Sequence, residues 1–456
     1  MRKLFVILSL FVTFSHATLT GSGFVQNDLK ILEELDIDSS YISDYKLQRY
    51  YKRFTQDYTS RYADHLDNAQ LFIPQIKTIL RENKIPSAFL FLAMAESNFV
   101  LDAASHKKAK GIWQFIPQTA EVYGLKTNKY IDERMDLIKS TNAAVSYLQR
   151  LYSMFGKWYL AAIAYNCGEA RVIEGITRAT LDMYCEDNNC KKDPKIQEFR
   201  DIIKDYQQKK IPFSKVYQVY KKVKEWDYKP GIDELLIEQN NLSRQYIPQE
   251  SRNYIRKIIS LAMMNNSDYL LLNENNHLLN SGLSSPVTTV SIKGGVLLKN
   301  IADVIKISKK ELQELNPHMK KNMTPPDDGE YNIHIPYSKL ALFYQNIGAM
   351  KPNQFESYTV KRGDSLGKIA AQFDIDYKLI KKYNNLQSNV IAINQELVIP
   401  IDPETYKRPK DYFVKKGDTL YEIAKFFDIP LQKLMSDNNL KSGNIQIGEK
   451  IVVKFK

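Results

Sequence analysis

Apolar positions along the chain keep a helical period through its first two thirds and give way to short strand-and-helix units in its last third. Ile73, Ile76, Ile79 and Leu80 recur at three- and four-residue steps, which places them on one buried helix face. Pro86 suits the first turn of the next helix. That helix, Phe89-Leu90-Phe91-Leu92-Ala93-Met94-Ala95, is apolar on nearly all sides, the pattern of a helix buried within a core. Helical spacing returns with Tyr254, Ile255, Ile258, Ile259 and Leu261. Between these stretches, residues 182–212 carry charges, two cysteines and Lys191-Lys192, and read as an excursion from the core. Before them, Tyr41 to Tyr62 is rich in Tyr, Arg and Lys and predicts a solvated helix with an aromatic face. Residues 274–286 are rich in Asn and Ser and end in Pro286, as a linker would.

The C-terminal part repeats itself. Tyr358-Thr-Val-Lys-Arg-Gly363-Asp364-Ser365-Leu366 matches Tyr412-Phe-Val-Lys-Lys-Gly417-Asp418-Thr419-Leu420. The match runs on through Ile369-Ala370 and Ile423-Ala424 to Asn384-Asn385-Leu386 and Asn438-Asn439-Leu440. Each unit reads strand, Gly-Asp turn, amphipathic helix, second helix, short strand. A third, degenerate copy spans Val287 to Pro336 and lacks the Gly-Asp-Ser/Thr-Leu turn.

A length of 456 residues predicts three or more domains. Apolar residues at 44% and charged residues at 25% are an ordinary globular balance. The formal charge of +12 is dispersed. Nucleic acid is one reading of that charge, but the chain shows no nucleic-acid module or Lys/Arg block, and a basic surface suits another anionic polymer equally well. Arg2 and Lys3 precede an apolar run from Leu4 to Phe14, and Ser15-His16-Ala17 offers a cleavage site, so residues 1–17 read as an export signal. The run is short for a membrane span, and the region has no cysteine for a lipid anchor. Cys185 and Cys190 flank a turn-like Glu-Asp-Asn-Asn, but spacing alone leaves their pairing open. Three cysteines and six scattered histidines form no metal-ligand spacing, so neither metal nor cofactor is expected.

Glu96 is the candidate for chemistry. It ends the apolar helix, where burial and the negative end of the helix dipole both favour a held proton. A protonated carboxyl near neutral pH is what cleavage of a glycosidic bond requires. Gly111-Ile112-Trp113-Gln114 follows: a glycine for close backbone approach, a flat ring for a sugar face, and an amide with donor and acceptor. Tyr165-Asn166 adds a hydroxyl and a second amide. Each of these residues taken singly is more often structural, as a core ring or a cap.

Together they match a family. Glu96-Ser97, Ser105, Gly111-Ile112-Trp113-Gln114-Phe115-Ile116-Pro117 and Ala164-Tyr165-Asn166 resemble the catalytic domain of lytic murein transglycosylases. The repeats resemble LysM modules, and the combination is similar to the membrane-bound lytic murein transglycosylase D family. The resemblance implies a multidomain chain: a mainly α lysozyme-like catalytic domain followed by small βααβ, LysM-like modules. The expected boundaries are an export signal at 1–17 and a helical extension at 18–67. The catalytic domain then covers 68–273, with 182–212 an atypical insertion, and the degenerate unit 287–337. The two repeats take 356–400 and 411–455.

It further implies cleavage of the β-1,4 bond between N-acetylmuramic acid and N-acetylglucosamine in peptidoglycan. Glu96 would serve as acid and then as base toward the muramic C6 hydroxyl, leaving a 1,6-anhydro end. Ser97, Ser105, Gly111, Trp113, Gln114, Tyr165 and Asn166 would hold substrate, with Glu250 of Gln249-Glu250-Ser251-Arg252 in support. In the repeats, Gly363, Asp364, Ser365 and Leu366, and Gly417, Asp418, Thr419 and Leu420, would line glycan grooves, although any one of them can equally be a turn residue. Peptidoglycan strands are thus the expected partner, at the cell envelope or in the periplasm. A hydrolytic muramidase of the same fold and a non-catalytic wall-binding scaffold are the competing readings. Ile112-Trp113 stands where the family often has Leu-Met, and Cys167 where it has alanine.

Overall fold

The computed structural model describes residues 24, 26–57, 64–66, 69, 71–188, 190, 193–239, 245–264, 286–321, 323–325, 329–349, 354–373, 375, 377–401, 410–427, 429–440 and 442–454. The expected export signal and the Asn/Ser-rich stretch to residue 285 lie outside these. The chain divides into two compact units: one ends at Pro286 and omits Thr127–Asp132, and the other comprises Thr127–Asp132 and Val287 onward.

The first unit is helical. Its elements are α1 (Gln26–Glu34), α2 (Tyr45–Asp57), α3 (Ile73–Glu82), α4 (Leu90–Ser97), α5 (Pro117–Val122), α6 (Leu137–Phe155), α7 (Trp158–Cys167), α8 (Glu169–Asp187), α9 (Pro194–Gln207), α10 (Phe213–Val223), α11 (Ile232–Leu236) and α12 (Gln249–Met264). One hydrophobic cluster unites α4, α6, α7 and α12, and Leu92, Leu148, Ile163 and Ile259 within it are fully buried. Pro86 opens a short 3-10 turn that feeds α4 rather than standing in its first turn.

One expectation changes here. The helix after Tyr41 is not solvated: Tyr41, Leu47, Tyr51 and Phe54 are buried in the same cluster, and α2 packs along α12. Its many Lys and Arg residues occupy the outer face, which hid an apolar stripe of ordinary helical spacing. Residues 182–212, the stretch read as an excursion, carry structure of their own. They complete α8 and form α9, which packs with α10 around a separate small core of Leu181, Phe199, Ile203, Val219 and Val223. The Cys185–Cys190 disulfide closes the turn out of α8, and Cys167 is free.

The second unit repeats one design. The first module has β1 (Val287–Lys293), α13 (Leu298–Ile305), α14 (Lys309–Leu315), β2 (Glu330–Pro336) and a following α15 (Leu340–Asn346). The second has β3 (Gln354–Thr359), α16 (Leu366–Phe373), α17 (Tyr377–Tyr383) and β4 (Glu396–Ile401). The third has β5 (Lys410–Phe413), α18 (Leu420–Phe426), α19 (Leu431–Asp437) and β6 (Lys450–Val453). In each, the two strands pair antiparallel, with Val287 opposite Pro336, Gln354 opposite Ile401 and Lys410 opposite Val453.

An asparagine after the second helix clasps each module shut. The amide of Asn384 donates to the Ile380 and Val398 carbonyls, and its Oδ1 accepts from the Val398 N–H. Asn438 does the same with Leu434 and Val452. Asn316 repeats it with Leu312 and His334, so the degenerate unit is a true copy of the other two. Three hydrogen bonds from one side chain satisfy backbone groups that the short strands cannot reach.

Candidate active site

α4 ends in two successive non-glycine residues with left-handed backbone, Asn98 (φ 51°) and Phe99 (φ 62°). Such a turn is strained for an aromatic residue and holds only because Phe99 is locked in the core. It halts the helix one residue after Ser97 and leaves Glu96 on the final turn, half-buried. The hydroxyl of Tyr254, from α12, donates to Glu96 Oε1 at 2.6 Å. One turn further along α12, the Lys257 ammonium donates to the Ala95 carbonyl at 2.8 Å and so caps the end of α4. Among the described residues, Glu96 Oε2 takes no hydrogen bond.

Burial raises the Glu96 pKa from its ordinary value, with Glu250 adding to it. The Tyr254 hydrogen bond and the Lys257 charge oppose it, and burial prevails. The Tyr254 and Tyr165 phenols are themselves pushed well up by burial and by the nearby Glu96 charge, so both stay neutral donors.

The loop from Asp102 to Ile116 supplies the other wall. Gly111 (φ 79°) passes so close to Arg134 that a Cβ there would lie 1.8 Å from its carbonyl oxygen. The close approach expected of this glycine is therefore against the protein's own backbone. The buried Arg134 guanidinium donates to the carbonyls of Lys108 (2.7 Å) and Phe115 (3.3 Å), pinning both arms of the loop. Gln114 (φ 48°) donates its amide hydrogens to the Gly111 and Ala103 carbonyls at 2.8 and 3.2 Å. Its Oε1 has no partner among the described residues and stays available as an acceptor. Ser105 is exposed, and its hydroxyl oxygen accepts from the Ala109 N–H at 3.1 Å.

Tyr165 Oη donates to the Trp113 carbonyl at 2.7 Å, joining α7 to the loop. Ser251 donates to Asn166 Oδ1 at 2.7 Å, and the Asn166 amide donors have no partner among the described residues. Glu96, Tyr165, Tyr254 and Lys257 are thus brought together electrostatically, and Gln114 and Asn166 each keep one free polar end.

Several expected roles are not open to the side chains as placed. Trp113 is fully buried and its indole N–H donates to Thr141 Oγ1 at 3.0 Å, so the ring is core and offers no face to a sugar. Ser97 is buried and its hydroxyl turns back to the Ala93 carbonyl at 3.1 Å. In the repeats, Leu366 and Leu420 are each only 2% exposed and belong to the module cores. Asp364 and Asp418 brace their turns. Asp364 Oδ2 accepts from Tyr358 Oη (2.9 Å) and Lys361 N (2.7 Å). Asp418 Oδ2 accepts from Tyr412 Oη and Lys415 N, both at 2.7 Å. Ser365 Oγ accepts from the Lys368 N–H at 3.3 Å, and Thr419 caps α18 in a capping box with Glu422. Gly363 and Gly417 supply the left-handed position of each turn.

Sequence reasoning read Tyr254 only as part of a helical pattern, named Ser251 only within the Gln249–Arg252 motif, and passed over Lys257 and Arg134. Tyr254 and Lys257 had a signal: with Glu250 they lie four and three residues apart, on one face of α12.

The family of Transglycosylase SLT domains matches residues 74–181, which contain Glu96, the Gly111 loop and Tyr165. LysM domains match 358–400 and 412–454, and the Lytic transglycosylase MltD, LysM-like domain matches 287–351. Membrane-bound lytic murein transglycosylase D of Escherichia coli (strain K12) is 26% identical over 397 residues, 83% of this chain and 75% of that protein. The chain is a lytic transglycosylase with an SLT domain followed by LysM domains, similar over most of its length to lytic murein transglycosylase D. One SLT domain and then LysM units is the order along this chain. A putative tributyltin chloride resistance protein of Alteromonas sp. (strain M-1) is 34% identical over 110 residues, 24% of this chain and 53% of that protein. Among solved structures, the Bacillus cereus spore cortex-lytic enzyme SleL shares 27% identity over 22% of each chain, with a TM-score of 0.13 that carries no weight for the fold.

Proposed function

We propose that this lytic transglycosylase cleaves the β-1,4 bond between N-acetylmuramic acid and N-acetylglucosamine in peptidoglycan without adding water. The observation that carries the reading is a single carboxyl, Glu96, that accepts a hydrogen bond from Tyr254 at 2.6 Å and whose pKa burial raises. The Glu96 carboxyl gives its proton to the bridging oxygen as the C1–O bond breaks. The muramic C6 hydroxyl then attacks C1, and the Glu96 carboxylate takes that hydroxyl's proton. A 1,6-anhydro end forms, the acid is restored and no water is consumed. Two-carboxylate glycosidases place a second acid across the bond. Here the other carboxylate bearing on Glu96 is Glu250, exposed in the first turn of α12. This favours a substrate hydroxyl over a second protein carboxylate as the nucleophile.

Tyr165 and Tyr254 remain neutral hydrogen-bond donors throughout, and Lys257 stabilises the carboxylate that exists between the two proton transfers. Gln114 Oε1 and the Asn166 amide are the groups free to hold an N-acetyl or hydroxymethyl arm. Ser105 and Glu250 are exposed and serve at the rim of the cleft. The LysM modules hold the polymer, and linked modules raise avidity on a long strand without new contacts at the cleft. The substrate places the protein at the cell envelope, with residues 1–17 as its export signal. Among the described residues no helix is long and apolar enough to cross a membrane.

The test is to incubate purified sacculi with the wild-type protein and with Glu96→Gln. Wild type releases soluble muropeptides. The variant binds sacculi as well and releases none; release at the wild-type rate would remove Glu96 from the mechanism.

A further inference from the structure

The second unit contains a cleft of about 570 Å³ between the first two modules, walled by α17 and by the start of α13. Five lysines line it: Lys299, Lys309, Lys378, Lys381 and Lys382. Among the described residues no Asp or Glu lines it. Lys299 pairs with Asp303 outside the cleft at 2.5 Å, whereas Lys309, Lys381 and Lys382 have no acidic partner among the described residues. Leu297, Met323 and Leu386 give it an apolar floor, and Tyr377 and Tyr383 an aromatic edge. The Gly363–Leu366 turn does not line it, whereas Asn385 and Leu386 of the repeated Asn-Asn-Leu segment do, so the cleft adjoins that side of the module.

Like charges gathered over an apolar floor repel one another, and the low-dielectric wall strengthens their combined field on whatever enters. Nothing in the fold of either module requires this. The cores of both are closed without these side chains, and the helices that carry them could hold neutral residues at the same positions. Lysines are flexible point charges, suited to several carboxylates on a mobile chain rather than to one planar group held in a fork.

We propose that this cleft binds the free carboxylates of peptidoglycan peptide stems, so that the modules read the peptide as well as the sugar. The inference rests on the peptidoglycan reading above. It adds a second recognition element that would direct the enzyme to strands still bearing stems.

The test uses the full chain carrying Glu96→Gln, so that the polymer is not consumed. Its binding is measured, at two salt concentrations, to native sacculi, to sacculi whose carboxylates have been amidated with carbodiimide and ammonia, and to chitin. The same series is run with Lys381→Gln/Lys382→Gln added. Both lysines lie on the exterior of α17, where glutamine keeps helix propensity and removes charge. The expected result is roughly fivefold weaker binding to native sacculi for the lysine variant, the scale of two exposed ion pairs. Amidation should cause a similar loss for the parent and little further loss for the variant. Chitin binding should be the same for both. Equal preference for native over amidated sacculi in the two proteins would overturn the proposal, as would a parallel loss on chitin. Either result would leave the cleavage reading standing, because release of muropeptides by the wild type is measured separately.

Discussion

Tyr254 Oη and Glu96 Oε1 stand 2.6 Å apart, joining the last turn of α4 to α12 across 158 residues of sequence. The phenol donates to the carboxyl, and a donor of this kind favours the charged form. Burial raises the Glu96 pKa, and Tyr254 limits how far it rises. Tyr254→Phe should therefore move the alkaline limb of the kcat/KM profile to higher pH. It should also cut kcat roughly 10- to 100-fold, the scale of one hydrogen bond to a charged group. A pH profile identical in shape to that of the wild type would show that the phenol does not tune the acid.

Holding a buried carboxyl has a cost in stability that depends on pH. The folded-state pKa of Glu96 is raised, so the fold binds its proton more tightly than the unfolded chain does. Below the unfolded value of about 4.3 both states are protonated and the penalty vanishes. Stability is then lost as pH rises through the folded-state pKa. Glu96→Gln should match the wild type in melting temperature near pH 4. At pH 7 the variant should melt at the higher temperature of the two, because it lacks the penalty of ionising a carboxyl whose folded-state pKa is raised. Thermal melts at the two pH values measure the difference, and an equal offset at both would contradict a raised pKa.

Gly111 and Gly124 separate two costs of a side chain. Both have left-handed backbone, at φ 79° and φ 76°. A Cβ at Gly124 meets nothing within 4 Å, whereas at Gly111 it would lie 1.8 Å from the Arg134 carbonyl oxygen. Gly124→Ala should cost about 1 kcal/mol, from backbone strain alone. Gly111→Ala should cost at least ~3 kcal/mol, since the loop must leave Arg134 and release its buried guanidinium. Cleavage should fall with it, because Gln114 and the Trp113 carbonyl move with the loop. Urea melts of the two variants provide the comparison.

Trp113 tests the distinction between core and cleft. Its ring is fully buried and its N–H is satisfied by Thr141. Trp113→Phe should lower stability by about 2–3 kcal/mol, from lost volume and a lost hydrogen bond. KM for soluble glycan strands should stay near the wild-type value at temperatures where the variant is folded. A large rise in KM with unchanged stability would return the ring to the cleft.

The sequence carried the repeats most clearly, because strand, turn and paired helices recur with aligned residues, and the Asn316, Asn384 and Asn438 clasps explain why that asparagine recurs. Glu96 stood out because the Gly111–Gln114 and Tyr165-Asn166 clusters follow it; an acid at the end of an apolar helix taken alone could equally be half of a structural ion pair. The error over Trp113 came from reading a residue type without its direction: a ring suited to sugars is equally suited to a core, and only packing decides. The same holds for Leu366 and Leu420, whose turn motif is visible while their inward orientation is not. Tyr254 was hidden for the opposite reason. It sits in an apolar helical pattern and differs from a core residue only in where its hydroxyl ends, a fact set by the crossing of α12 over α4. The buried stripe of α2 was masked by charges on its outer face, and the pairing of Cys185 with Cys190 is a matter of geometry that spacing does not contain.

The central claim is that the carboxylate of Glu96 next takes a proton from a sugar hydroxyl and not from water. Sacculi digested by the wild-type protein in H₂¹⁸O, with mass spectrometry of the released muropeptides, tests it directly. The account predicts 1,6-anhydromuramic ends with no ¹⁸O. Reducing ends carrying ¹⁸O at C1 would contradict it and make the enzyme a hydrolytic muramidase.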